Sequence, residues 1–166
     1  MRHLAIAVAL VAAVLLSGCG SSRFITYDGP QVTRVVVLKE PRTMVLFHQS
    51  RPLATYDISL GWSPIGHKTR EGDGRTPEGR YFIDRRNPDS KFHLSLGISY
   101  PNRVDMARAS AAGVRPGGDI FIHGWSNSIF RRRGSDWTWG CIAVRDRDIE
   151  QIYAMVGDGT PIDIYR

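Results

Sequence analysis

Apolar positions along the chain fall into two regimes. Leu4–Leu16 is an unbroken run of thirteen residues drawn only from Leu, Ile, Val and Ala. From Val32 onward, apolar residues instead come in short segments bounded by Gly, Pro and charge, which is the pattern of β-strands. Strands are predicted at Val35–Leu38, Met44–Phe47, a looser Leu53–Leu60, Tyr81–Ile83, Phe92–Leu96, Asp119–His123, Cys141–Arg145 and Thr160–Tyr165. Gly61–Gly79 is dense in Gly, Pro and charge and is predicted as a long loop. Two helices interrupt the strands. Asn102–Ala112 has Asn102 as its cap and Gly113 as its stop, and Asp146–Val156 has Asp146 in the N-cap position. In the second helix Ile149, Ile152, Tyr153 and Val156 make one apolar face. Many short strands with one or two short helices predict a mainly β fold, a sandwich or barrel.

The first apolar run has a different meaning. As helix, thirteen residues span about 20 Å, short of the roughly 30 Å hydrocarbon core of a bilayer. Arg2 and His3 precede it, and Leu16-Ser17-Gly18-Cys19 follows. This is the layout of an export signal, and its end resembles the lipobox of bacterial lipoproteins, where the cysteine is acylated and becomes the new N-terminus. The alternative is an ordinary secretory signal with a chance cysteine. The expected organisation is a signal peptide over 1–18, lipidated Cys19 with a small polar tether over 19–31, and a catalytic domain over 32–166. Gly20 stands where many inner-membrane lipoproteins carry Asp. The expected location is therefore a periplasm-facing membrane anchor, in the outer rather than the inner membrane.

Without residues 1–18 about 148 remain, one domain with room for a core. Charged residues at 23% and hydrophobic ones at 42% exclude a disordered chain. That part carries 21 basic against 16 acidic residues, a net of +5. The excess suits an anionic polymer, but the strands show no interleaving of basic and aromatic residues of the kind nucleic-acid modules use. With Cys19 acylated, Cys141 has no partner in the chain. An unpaired thiol in an exported protein is either buried and inert or used for chemistry.

His123 closes one predicted strand and meets Gly124, while Cys141 opens another after Gly140. A neighbouring imidazole can generate the nucleophilic thiolate and is expected to lower the thiol pKa below its usual 8.5 or so. Gly140 allows backbone N–H groups to approach a developing oxyanion. The bland reading of this pair is a core cysteine and a satisfied histidine.

Four motifs, in order, weigh against it: Gly72–Tyr81 (GDGRTPEGRY), Ser95–Asn102 (SLGISYPN), Ile122-His123-Gly124, and Asp136–Val144 (DWTWGCIAV). Together they resemble the L,D-transpeptidase catalytic domain family, the cysteine enzymes that remodel bacterial peptidoglycan, over Thr33–Arg166. The resemblance implies the family's β fold and the following roles. Cys141 is the nucleophile, His123 the general base and acid, and Gly124 the carbonyl that orients the imidazole. Gly140 and Cys141 supply the oxyanion-hole N–H groups. It implies stem peptides of peptidoglycan as substrate, a thioester intermediate and no cofactor. Thr138-Trp139 stand where the better-studied branch has Ser-His, and the arginine lies four residues after the cysteine instead of two. The string DWTxGCIAV looks like a separate branch, some of whose members cleave wall linkages, including release of a wall-attached lipoprotein, rather than form them.

Arg145 and Trp139 are the expected substrate contacts. Arg145 would share a strand face with Cys141 and Ala143 and meet a diamino-acid carboxylate. Trp125 and Trp137 also flank the motif, and Arg131-Arg132-Arg133 is a basic run beside it. His67 and His93 lack the close ligand spacing of a metal site, so none is expected. Against both enzymatic directions, transfer and hydrolysis, stands a non-catalytic wall-binding lipoprotein. The anchor is tested first: Cys19→Ala should abolish incorporation of labelled fatty acid, and unchanged labelling would contradict lipidation at Cys19.

Overall fold

In the computed structural model, residues 22–125 and 136–166 are described; the expected signal, Cys19 and the Arg131–Arg133 run lie outside them. Eight strands form one sheet: β1 (Arg34–Leu38), β2 (Thr43–His48), β3 (Arg51–Asp57), β4 (Gly79–Asn87), β5 (Ser95–Ile98), β6 (Phe121–His123), β7 (Ile142–Ala143) and β8 (Pro161–Tyr165). The helices are α1 (Arg103–Ala111) and α2 (Asp146–Met155). The strand order is β3-β2-β1-β8-β4-β5-β6-β7. Most neighbours are antiparallel, but β1 runs parallel to β8 and β6 parallel to β7.

The sheet curls until its ends meet. Ser59, two residues beyond β3, bridges Ala143 of β7, with Ser59 N–H donating to Ala143 O (2.8 Å) and Ala143 N–H donating to Ser59 O (2.9 Å). Gly61 likewise bridges Thr138. The closure covers edge strands that would otherwise present unpaired backbone. Alternation along β1 and β2 turns Val35, Val37, Met44 and Leu46 into the core, where they meet Tyr81, Ile83, Leu96, Ile122, Ile142 and Ile162. The α2 face of Ile149, Ile152 and Val156 closes one side of that core.

The mainly β expectation and both helices hold, with local differences. Phe92–Leu94 is not strand, because His93 takes a left-handed φ of 73° that breaks extension. The segment around Cys141 is strand only at Ile142–Ala143, and Arg145 is the residue just before α2. Asn102 caps α1 as expected, accepting from Val104 and Asp105 N–H. Asp146 does not cap α2. The cap position is Arg145, without a side-chain cap bond, and Asp146 is the first helical residue.

Residues 58–78 run largely as loop: Ile58 and Leu60 pack into the core, and buried charge holds much of the rest. Lys39, 2% exposed, donates to Gly66 O (2.7 Å), Thr76 O (3.0 Å) and Glu78 Oε1 (2.8 Å). The Asp73 carboxylate accepts from Lys68 Nζ (2.9 Å) and from the N–H groups of Thr69 (2.8 Å), Arg70 (3.1 Å) and Arg75 (3.1 Å). Burial alone would raise the Asp73 pKa, but these donors outweigh it and bring the carboxyl down to about 2. A depressed carboxylate pKa stabilises the fold above the unfolded value of about 4, and that contribution is lost as pH falls toward 2. Asp73→Asn should therefore cost about 1–2 kcal/mol at neutral pH. The gap between wild type and variant in urea unfolding followed by circular dichroism should narrow below about pH 4. A gap independent of pH would contradict the assignment.

Candidate active site

The parallel register of β6 and β7 sets Ile122 beside Ile142 and His123 beside Ala143. Both isoleucines are fully buried and point into the core. Alternation then turns Phe121, His123 and Cys141 to the opposite face. There they line one hollow of about 260 Å³ with Phe92, Ser95 and Asp119. The structure thus brings His123 and Cys141 together from positions eighteen residues apart.

His123 is 4% exposed. Its Nδ1 lies 2.7 Å from Gly124 O. A carbonyl oxygen carries no proton, so Nδ1 must be the donor, and Nε2 keeps its lone pair for a proton from the site. The ring is also held by aromatic contacts. Phe92 packs at 4.5 Å between centroids, and Trp137 meets it edge-on at 5.8 Å. The sequence did not single out Phe92, whose place was predicted as strand. The Cys141 Sγ accepts from Phe121 N–H (3.4 Å) and donates to Asp119 O (3.5 Å).

Burial dominates the electrostatics of both groups. It lowers the His123 pKa despite the Gly124 contact and the Asp146 charge. It raises the Cys141 thiol to about 11, against the lowering influence of the Phe121 N–H. The expectation of a lowered thiol pKa is thus corrected for the free protein: desolvation disfavours the thiolate. Near neutral pH the thiol form therefore predominates.

The turn before Cys141 is built around Thr138, 2% exposed. Its Oγ1 donates to Cys141 O (2.7 Å) and accepts from Gly140 N–H (3.1 Å). The Gly140 N–H is therefore engaged, which corrects the expectation that it stands ready for an oxyanion; it becomes available only if the Thr138 contact opens. Gly140 has φ 124°, and a Cβ there would sit 2.6 Å from Arg75 O. Its Cα also packs against Gly61, where an added Cβ would collide with Gly74 O. Asp136, at the start of the same segment, accepts from Leu60 N–H (2.9 Å) and from Arg42 Nη2 (2.6 Å).

The two expected substrate contacts lie elsewhere. Arg145 is past the end of β7, so the shared-face expectation does not hold. Its guanidinium is bound bidentately by Asp148 (2.6 and 3.0 Å). It lines a separate hollow with Arg42, Asp57, Ser59 and Trp125. Trp139 is 72% exposed and meets Trp62 edge-on at 6.0 Å, outside the lining of the Cys141 hollow. His67 faces Asp105 (3.1 Å) and His93 faces Glu150 (2.7 Å), so each is spent on a carboxylate.

A half-buried thiol and an imidazole oriented by a backbone carbonyl thus share one hollow on a curled sheet. The family model for the L,D-transpeptidase catalytic domain (YkuD) matches residues 32–164, and the chain belongs to that family. It is 28% identical over 128 residues to YafK of Escherichia coli (strain K12), itself a candidate L,D-transpeptidase; the match covers 74% of this chain and 46% of YafK. Among solved structures, the helical cell shape determining protein Pgp2 from Campylobacter jejuni superposes with a TM-score of 0.64 at 24% identity, covering 89% of this chain and 52% of Pgp2. An L,D-transpeptidase from Mycobacterium smegmatis superposes with a TM-score of 0.56 at 16% identity, covering 83% of this chain and 60% of that one. The chain thus spans about half the length of YafK and Pgp2, and these two superpositions show the fold.

The raised thiol pKa generates a direct measurement. The rate of Cys141 alkylation by iodoacetamide, followed by peptide mass spectrometry, should keep rising with pH toward about 11. A plateau reached by neutral pH would mean that the free protein already holds a thiolate.

Proposed function

We propose that the chain is a peptidoglycan-remodelling cysteine acyltransferase acting on stem peptides through a thioester on Cys141. The observation that carries this reading is the placement of Cys141 and His123 on one face of the β6–β7 pair, with Nδ1 of His123 fixed on Gly124 O at 2.7 Å. Family membership supports stem peptides as the substrate class.

Sγ of Cys141 attacks the carbonyl carbon at the L-centre of the diamino acid as its proton passes to Nε2 of His123. The bond to the terminal D-amino acid breaks, and His123 returns the proton to the leaving amine. An acceptor amine then loses a proton to His123, attacks the thioester and frees the thiol. No cofactor enters the sequence. Cys141 N–H, and Gly140 N–H once released from Thr138 Oγ1, would face the oxyanion.

Hydrolysis of the same linkages is the second reading, with water in place of the acceptor amine. It is favoured by Thr138-Trp139 in place of Ser-His before the nucleophile. Its substrates would include crosslinks or a wall-attached lipoprotein. A non-enzymatic wall-binding lipoprotein would not need the thiol at all. In each reading, acylated Cys19 would hold the domain to the periplasmic face of a membrane, the outer one by the Gly20 criterion.

Mass spectrometry of muropeptides after incubation with the protein, with and without an amine acceptor, separates the readings. New crosslinks indicate transfer, and their loss indicates hydrolysis. Cys141→Ser and His123→Ala should each reduce turnover by at least about a hundredfold with the circular dichroism unchanged, and the two losses should not add. Full turnover in Cys141→Ser would sink the mechanism.

A further inference from the structure

The Gly124–Trp125 peptide is one planar unit, with the Gly124 carbonyl at one end and the Trp125 N–H at the other. His123 Nδ1 donates to the carbonyl end at 2.7 Å. Asp146 Oδ1 accepts from the N–H end at 2.6 Å. A carboxylate, a peptide group and an imidazole therefore stand in one hydrogen-bonded chain. Both contacts are short for N–H···O bonds.

We propose that Asp146 is a positioning residue for His123, acting through the Gly124–Trp125 peptide unit. Three further observations support this. Asp146 opens α2, yet the helix has no side-chain cap bond from the residue before it, and the Asp146 carboxylate is turned toward Trp125. A Cβ at Gly124 would lie 2.6 Å from Asp146 Oδ1, so only glycine lets the carboxylate come this close. Gly124 N–H, in the preceding peptide, is held by Phe92 O (3.0 Å) and Leu94 O (3.3 Å), which anchors the residue from which the carbonyl projects.

Such a chain has a chemical consequence. A carboxylate accepting from the N–H polarises the peptide and makes its carbonyl a stronger acceptor. That carbonyl, in turn, favours the Nδ1–H tautomer and the imidazolium that forms when the Cys141 proton arrives. Burial works in the opposite direction, and the Asp146 charge is among the influences that raise the His123 pKa against it. Among the described residues, the titratable groups near the imidazole include Cys141 and Asp119 in the hollow and Asp146 on α2, and His93, next to Phe92, pairs with Glu150 of α2.

This role presupposes His123 as the base for Cys141, so the experiment reads the imidazole itself, apart from turnover. In the ¹⁵N-labelled full chain purified in detergent, the His123 nitrogen shifts are followed from about pH 4 to 9 for wild type, Asp146→Asn and Asp146→Ala. Wild type should show Nδ1 protonated. Asp146→Asn keeps an acceptor oxygen without charge, so the tautomer should persist while the titration moves down by about one unit. Asp146→Ala should shift the titration and mix the tautomers. With muropeptides as substrate, kcat should fall about tenfold in Asp146→Asn with KM unchanged, the equivalent of one pKa unit. Titration and tautomer identical to wild type in both variants would overturn the proposal. Should neither variant fold, the wild type decides: a scalar coupling between Trp125 N and the Asp146 carboxyl carbon supports the chain of bonds, and its absence overturns it. The expected imidazole shifts without turnover in wild type would overturn the acyltransferase reading while supporting the positioning role.

Discussion

Two residue pairs, Ile122 with Ile142 and His123 with Ala143, attach β7 to the sheet, and the candidate site depends on that short parallel register. A two-residue strand cannot hold itself. It is secured from the other side by the double hydrogen bond to Ser59, and below its end Val144 N–H donates to His123 O at 2.9 Å. The buried isoleucines fix which face turns inward, so the face carrying His123 and Cys141 follows without further choice. A slip of one residue would send the thiol into the core and an isoleucine into the hollow.

Burial gives the site its chemical character. The same desolvation that lowers the histidine raises the cysteine, and the resting pair is neutral on both members. A neutral thiol resists oxidation better than a thiolate, because oxidants react with the ionised sulfur. The aromatic rings of Phe92 and Trp137 keep the imidazole in place.

Much of the fold was legible in the sequence. The alternation in Val35–Leu38 and Met44–Phe47 needed only the strand period, and the Asn102 cap and Gly113 stop marked α1. The Cys141 and His123 candidates were legible because strand-end chemistry and ordered motifs coincide there. What was not legible depends on contacts between distant segments. The spacing of Arg145 from Cys141 presumed a strand that ends at Ala143, and nothing local showed that Asp148 would take the guanidinium. Asp146 looked like a cap because caps and peptide-facing carboxylates use the same residue types. The engagement of Gly140 N–H by Thr138 needed the turn itself to be seen. The thiol pKa was misjudged because depth of burial has no sequence signature.

Close to Cys141, Gly61 packs against the backbones of Gly74 and Gly140, with the Trp62 ring lying on Gly74 and Ile120 Cδ1 beside Gly140. Where the neighbour is main chain there is no intermediate degree of filling: a single methyl at Gly61 would displace the Gly74 carbonyl, and one at Gly140 would press on Arg75 O. Side-chain cores drift by trading volume between neighbours, a methylene lost here and gained there. This junction has no volume to trade. A side chain at Gly61 or Gly140 therefore moves backbone rather than a neighbouring side chain, and the seat of the thiol can be transplanted into another scaffold only together with the loops that carry these glycines.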